Sequence, residues 1–390
     1  MIRGGASLLP APPGDLVDGL VRLAAVLGDA YPLRPKHRAG LPQGVAALSA
    51  MLTVDRDDLP RDYMARPEFL AAYLHWFLPW NIYRQGRLLA GLGPDLPAGT
   101  RILDLGAGPL TFLHALWMSC PDLRGRTLHY EAVDRSEPAL KAGRALFAGL
   151  AGEQGGDWRI ATRRAAAGGR GSRPADLVVA ANMLNELEPD RGGRQRGPDV
   201  EGPERLVMGW ERMTAPGGRL LLIEPGVRQA ATQLVKLRAA ALERGWSVEA
   251  PCTHAATCPL PGRGRAGWCH FGCSTEGAPA WLEALGRAAH LPKERATLAF
   301  LLLRAPAAGQ EGEQAAARRG RPPVRVVSDG FALPERRRGC YACGEDGLVL
   351  LTVKDRADSR LPASGDLLAP ARPDQPRRDG RSGAPVIPLD

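Results

Sequence analysis

Six of the seven cysteines fall in two short stretches. APCTHAATCPLPGRGRAGWCHFGC, from Ala250 to Cys273, holds Cys252, Cys258, Cys269 and Cys273; CYAC holds Cys340 and Cys343; Cys120 stands apart. In a reducing compartment, thiols crowded this closely are more often metal ligands or redox groups than disulfides. Structural zinc usually draws on paired C-x2-C knuckles, and one such knuckle is present. Longer, irregular spacing through Pro/Gly-rich loops suits a cluster held by four thiolates. Spacing alone leaves zinc and iron–sulfur equally open, and the fourth ligand open between Cys343, Cys340 and Cys273. His254 and His270 flank candidate ligands, where a supporting hydrogen bond or a solvent contact is the plainer role.

A second group of residues suits a nucleotide-type ligand. DLGAG, residues 104–108, ends an apolar run; Gly106 and Gly108 let the backbone approach a ligand where a following helix offers free N–H groups. Asp134 ends the next apolar run, where a carboxylate can accept from both hydroxyls of a ribose. Thr111 stands where a dinucleotide fingerprint would place its last glycine. Asn182 ends the third run. No NPPY-like motif and no Pro-Cys nucleophile beside a strand is present, so the catalytic residue is unknown, with Asn182 the candidate.

Strands must position these residues. TRILDLGAG, LHYEAVDRS, ADLVVAANML and GGRLLLIEPG read as strands, and TFLHALWMSC, EPALKAGRALFAGLA and PERLVMGWERM as the helices between them. This alternation predicts an α/β, doubly wound, Rossmann-like sheet with ligands at the strand C-termini. Residues 1–95 are expected to form a helical domain. Its block from Asp62 to Leu92 carries seven of the 21 aromatic residues (Tyr63, Phe69, Tyr73, Trp76, Phe77, Trp80 and Tyr83), which suits a packing face better than a base-stacking surface. The expected divisions continue as 96–248, the cofactor-binding core; 249–304, the cysteine loop with returning core strands; 305–362, a C-terminal segment; and 363–390, a disordered tail. Ala151–Pro174, Glu188–Pro203 and Ala305–Pro323 read as unstructured, apart from a possible strand in WRIATR.

The 390 residues carry a formal net charge of +9, a mild pointer to a polyanion such as RNA, although 46 Arg against five Lys also fits a compositional bias. No apolar run approaches the length that spans a bilayer, so no membrane partner is expected. The N-terminus lacks a continuous apolar segment, and no secretory signal is expected.

DLGAG, VDRS, AANMLNEL and LLIEPG resemble the class I S-adenosylmethionine methyltransferases. THAATCPLPGRGRAGWCHF, AYLHWFLPWNIYRQGRLL and the late CGEDG resemble the methyltransferase-like proteins of the mitochondrial and bacterial small ribosomal subunit. That resemblance covers most of the chain. It implies a class I methyltransferase fold, S-adenosylmethionine and a [4Fe-4S] cluster in a cysteine-rich insertion. It also implies action on the small ribosomal subunit, as an rRNA methyltransferase or as a catalytically inactive assembly and RNA-binding factor. A zinc-containing methyltransferase of a non-ribosomal substrate is the alternative. By resemblance Asp104 helps hold the methionine end, Asp134 the ribose, and Asn182 lies by the methyl-transfer pocket. The implied ligands are Cys252, Cys258, Cys269 and Cys343. The implied location is the cytoplasm in a bacterium and the mitochondrial matrix in a eukaryote. Arg263, Arg265 and Arg336–Arg338 are candidates to face rRNA phosphate. Two departures stand out: Leu110 where many relatives carry Gly, and RATLAFLLLRAP where relatives have a Ser-Tyr pair.

Overall fold

The computed structural model describes residues 7–53, 63–166, 173–184, 202–262, 267–307 and 322–389. The expected loops at 188–203 and 305–323 fall almost wholly outside these residues, as do Arg263 and Arg265. Beyond the first nine residues the chain groups into two compact units, Pro10–Arg170 with Ser274–Ala296, and Gly171–Cys273 with Thr297–Asp390. These divisions differ from the sequence-based ones, because the N-terminal helices group with the first βα elements and with a returning segment.

The first unit begins with helices α1 (Gly14–Ala30), α2 (Pro35–Ala39), α3 (Leu41–Thr53), α4 (Pro67–Ala72) and α5 (Leu78–Leu92). Leu16, Leu20, Leu23 and Leu27 recur at helical spacing along α1 and are all buried. A π-helical turn, Tyr73–Phe77, links α4 to α5 immediately before Pro79. Proline removes one helical N–H donor and crowds the preceding turn, and a local π turn absorbs that defect.

Three parallel strands follow: β1 (Arg101–Leu105), β2 (Leu128–Asp134) and β3 (Trp158–Arg164), in the spatial order β3-β2-β1. Helices α6 (Thr111–Ser119) and α7 (Glu137–Ala151) connect them. The possible strand in WRIATR is thus present as β3. The aromatic block is packing: Trp76 and Trp80 are each 4% exposed and meet edge to face at 5.8 Å. A methyl group at Gly286 would come within 2.7 Å of the Trp76 ring, so this glycine is what admits the indole.

In the second unit β4 (Ala175–Ala181) and β5 (Thr214–Pro225) run parallel. Helix α8 (Gly202–Glu211) lies between them in sequence, and α9 (Arg228–Glu243) leads to β6 (Ser247–Ala250). Strand β7 (Phe271–Ser274) follows the cysteine loop, and α10 (Ala280–Ala288) belongs to the first unit. Strand β8 (Arg295–Arg304) pairs antiparallel with both β5 and β6. The orders 3-2-1 and 4-5 are each of the kind that parallel βαβ connections generate in a doubly wound fold.

A separate C-terminal sheet has the order β13-β9-β11-β12-β14, with β10 beside β11. Its strands are β9 (Val324–Val326), β10 (Phe331–Leu333), β11 (Arg337–Gly344), β12 (Gly347–Lys354), β13 (Leu367–Leu368) and β14 (Val386–Pro388). Val324, Val326, Cys340, Ala342, Val349, Leu351 and Ile387 form its core. The expectation of a disordered tail at 363–390 is therefore corrected. Its few apolar residues complete the sheet as β13 and β14, and Ile387 is 1% exposed. Composition hides this because the intervening turns dominate the count. Among the described residues no helix is long and apolar enough to cross a membrane.

Candidate cofactor turn and cysteine site

In the first unit, Leu105 pairs with Val133, so β1 and β2 end side by side. The chain then turns through Gly106 (φ 68°) and Gly108 (φ 50°), left-handed conformations that glycine adopts without side-chain strain. The Gly106 and Ala107 N–H groups donate to the Val133 carbonyl at 2.8 and 3.1 Å. The Asp134 carboxylate locks the turn: Oδ2 accepts from Gly108 N–H at 2.8 Å and Oδ1 from Ser136 N–H at 2.7 Å. Burial pushes its pKa up, against the pull of these donors.

Asp104 lies beneath the turn, 1% exposed, and accepts the Tyr130 hydroxyl at 2.6 Å. Burial pushes its carboxyl up to about 7; the Tyr130 hydrogen bond lowers it and nearby Asp134 raises it again. Asp104 is thus part of the packed strand end. Leu110 also adopts a left-handed conformation (φ 57°) with its side chain fully buried. This geometry suits glycine, the residue that the sequence resemblance leads one to expect there. Helix α7 crowds the turn: a methyl group at Gly143 would lie 2.5 Å from the Pro109 carbonyl carbon.

In the second unit, Asn182 follows β4 with φ 57° and donates its N–H to the Ile223 carbonyl at 2.7 Å. Glu224, at the end of β5 and fully buried, accepts from the Met183 and Leu184 N–H groups, each at 2.9 Å. Sequence reasoning misses Glu224. The signal for it is a carboxylate at a strand C-terminus, in LLIEPG.

The residues of the turn fit S-adenosylmethionine. A carboxylate offers about four acceptor positions. Backbone donors from Gly108, Ser136 and Arg135 fix the carboxylate's orientation, and the acceptor capacity that remains is what a ribose hydroxyl would use.

The cysteine site lies wholly in the second unit. Cys252, Cys258, Cys269 and Cys343 are half-buried. Burial raises the Cys269 thiol well above its usual range, and the sulfurs of Cys252, Cys258 and Cys343 raise it further. Cys343 is pushed up to about 12 by burial and by Cys252 and Cys258. Each of these four sulfurs therefore lies within electrostatic reach of others in the group, across a separation of up to 91 residues. His254 Nε2 sits 3.5 Å from Cys343 Sγ.

Side-chain alternation sorts the two cysteines of CYAC. They lie on β11, three residues apart, so they point to opposite faces. Cys340 is fully buried in the C-terminal core, while Cys343 faces the other three thiols. Cys273 is buried on β7.

Hydrogen bonds tie this loop to the C-terminal sheet and its connections. Thr253 Oγ1 donates to the Pro323 carbonyl at 3.2 Å, and Gly272 N–H to Ser364 Oγ at 3.2 Å. Arg238 Nη2 of α9 donates to the His254 carbonyl at 2.7 Å; Arg325 of β9 donates to the Pro251 and Gly365 carbonyls at 3.2 and 3.0 Å. Neither arginine carries a sign of this role in its local sequence. Among the described residues, no group of three or more His, Cys, Asp or Glu side chains is spaced to hold a metal ion directly. The donor types, four thiols with two guanidiniums beside them, are those of thiolate-bound metal groups, while their spacing is not that of direct ligands to one ion.

No curated protein matches the chain. Among solved structures, a putative class I S-adenosylmethionine-dependent methyltransferase from Listeria monocytogenes is 12% identical, over 77% of this chain and 90% of that one, with a TM-score of 0.35. An S-adenosylmethionine-dependent methyltransferase from Thiobacillus denitrificans, in complex with S-adenosyl-L-homocysteine, is 16% identical, over 58% of this chain and 91% of that one, with a TM-score of 0.34. The fold class rests on the strand orders and connections rather than on these scores. The family model described as "Mitochondrial small ribosomal subunit Rsm22" matches residues 96–328. That match takes in the glycine turn, Asn182 and the first three cysteines of the site, and it covers more than half of the chain: the protein belongs to the Rsm22 family.

Proposed function

We propose that this chain binds S-adenosylmethionine at the turn of Gly106 and Gly108 and holds a [4Fe-4S] cluster on Cys252, Cys258, Cys269 and Cys343, and that it acts on the small ribosomal subunit. The observation that carries the reading is the convergence of four thiols from a loop and a distant strand. The family's printed name supports the ribosomal partner and, in a eukaryote, the mitochondrion; in a bacterium the location would be the cytoplasm. S-adenosylmethionine, when bound, supplies an electrophilic methyl group. Asp134 would orient the ribose, the Gly108 backbone would approach the ligand closely, and Asn182 is the candidate to face the transferred methyl. Asp104 supports the turn from below. The cluster would act as a staple, because metal–thiolate bonds would join the loop to β11. The work on the ribosome is rRNA methylation or assembly, with Arg336–Arg338 among the groups to meet phosphate.

The first test is iron, sulfide and zinc content of protein purified without oxygen, followed by co-sedimentation with small ribosomal subunits. About four irons and four sulfides per chain are expected. Stoichiometric zinc without iron, together with no affinity for ribosomes, would replace this reading with a zinc-containing methyltransferase of another substrate. Transfer of labelled methyl to small-subunit rRNA separates the enzyme from the inactive assembly factor.

A further inference from the structure

Two buried positive charges stand at the cysteine site with neutral partners. Arg238 is 5% exposed and Arg325 is 9% exposed. Arg238 hydrogen-bonds the His254 carbonyl and the Cys252 sulfur, and its Nε–H is buried without a partner. Arg325 bonds two main-chain carbonyls and acts electrostatically on Cys252. Asp366 lies within electrostatic reach of Arg325 and offsets part of its charge, whereas Glu345 and Asp346 act on His254. A buried charge without an opposite partner is strongly destabilising.

Uncharged thiols do not offset two guanidiniums. Four thiolates around a dicationic core do. Whether that core is the oxidised four-iron cluster or one zinc ion, the bound group is a dianion, and two guanidiniums match it.

We propose that Arg238 and Arg325 are the built-in counter-charge of a four-thiolate metal group. They neutralise the group when it is bound. Without it Arg238 is left an unpaired buried cation and Arg325 is offset by Asp366 alone, and together they loosen the joint between α9, the cysteine loop and the C-terminal sheet. Metal loading is then a condition for an ordered C-terminal sheet, imposed by charge as well as by metal–sulfur bonds. This inference rests on the cysteine reading of the preceding section, and it holds for either metal.

The test compares full-length wild type, Arg238→Met, Arg238→Lys and Arg325→Met, each purified without oxygen and each also stripped with a chelator. Metal loss to the chelator and limited proteolysis of the C-terminal sheet are followed in both forms. In the loaded form, Arg238→Met is expected to lose metal at least tenfold faster, in the range found for residues that support metal ligands, and Arg238→Lys to recover most of the retention. In the stripped form, the sign inverts: Arg238→Met and Arg325→Met are cleaved more slowly than wild type, because an unpaired charge has been removed. Equal destabilisation of loaded and stripped forms would make the arginines packing residues and overturn the inference. So would unchanged metal retention in a wild type that does carry metal. A wild type that holds neither iron nor zinc would overturn the cysteine reading itself, and this inference with it.

Discussion

At the glycine turn, the charged side chains meet protein donors: Gly108 and Ser136 N–H on Asp134, and the Tyr130 hydroxyl on Asp104. At the cysteine site, Arg238 and Arg325 bond carbonyls and a thiol, which carry no opposite charge, and Asp366 offsets Arg325 in part. The turn is a finished piece of local structure that a ligand would visit. The cysteine site is electrostatically incomplete by itself, and an anionic occupant would complete it. A region of the first kind should lose ligand affinity on mutation and keep its fold. A region of the second kind should lose ligand and fold together.

The largest expected effect is at Cys343. Cys343→Ser should bring metal content to background and lower the melting temperature sharply, because it removes the proposed ligand that would close the longest loop of the site. Its control is Cys340→Ser on the opposite face of β11, which should keep the metal. It should cost about 1–3 kcal/mol for placing a hydroxyl in an apolar core. Elemental analysis and denaturant unfolding read both. Metal loss in the second variant would break the assignment of the two faces.

Next is Asp134→Ala, expected to weaken S-adenosylmethionine binding at least tenfold, about 1.4 kcal/mol, by calorimetry. It should leave metal content untouched, and unchanged affinity would remove the turn from the cofactor site.

Asp104 adds a pH dependence. Its carboxyl is raised to about 7 in the folded state, against about 3.9 unfolded. The folded chain therefore holds a proton that the unfolded chain releases. The stabilisation is fully present below pH ~4 and is lost as pH rises through about 7, a swing bounded by about 4 kcal/mol. Asp104→Asn should flatten stability between pH 4 and 7, as measured by urea unfolding. A wild type whose stability rises across that window through this residue would contradict the geometry.

The smallest effect is expected at Leu110→Gly. Relief of a left-handed conformation is worth about 1 kcal/mol, and loss of a fully buried leucine costs about 2–3 kcal/mol, so a net loss of about 1–2 kcal/mol should appear in thermal unfolding. A gain would mean that the turn is more strained than its packing is favourable.

Much of the fold is legible in the sequence because its signals are local. RILDL, LHYEAVD and ADLVVAA are apolar runs that end in polar or glycine residues, and the intervening helices keep their own period. The tail reads as disordered because its two short strands, Leu367–Leu368 and Val386–Pro388, are too brief to show a period of two. CYAC resembles a metal knuckle only as long as it is taken for a loop. On a strand its two thiols must part, since alternate residues face opposite ways. Glu224, Arg238 and Arg325 are not legible as site residues, because burial of a charged side chain depends on residues far away in sequence.

The sequence by itself determined the alternation of strands and helices, the two glycines that admit a left-handed turn, and the stock of thiols. Each follows from backbone sterics or from side-chain period over a few residues. Tertiary structure decided what spacing left open: which cysteine of CYAC joins the three loop thiols, which is core, and that two guanidiniums are buried beside the sulfurs. Those outcomes depend on how a loop at 252–269 meets strands at 324–344, and no local preference of the chain encodes that meeting.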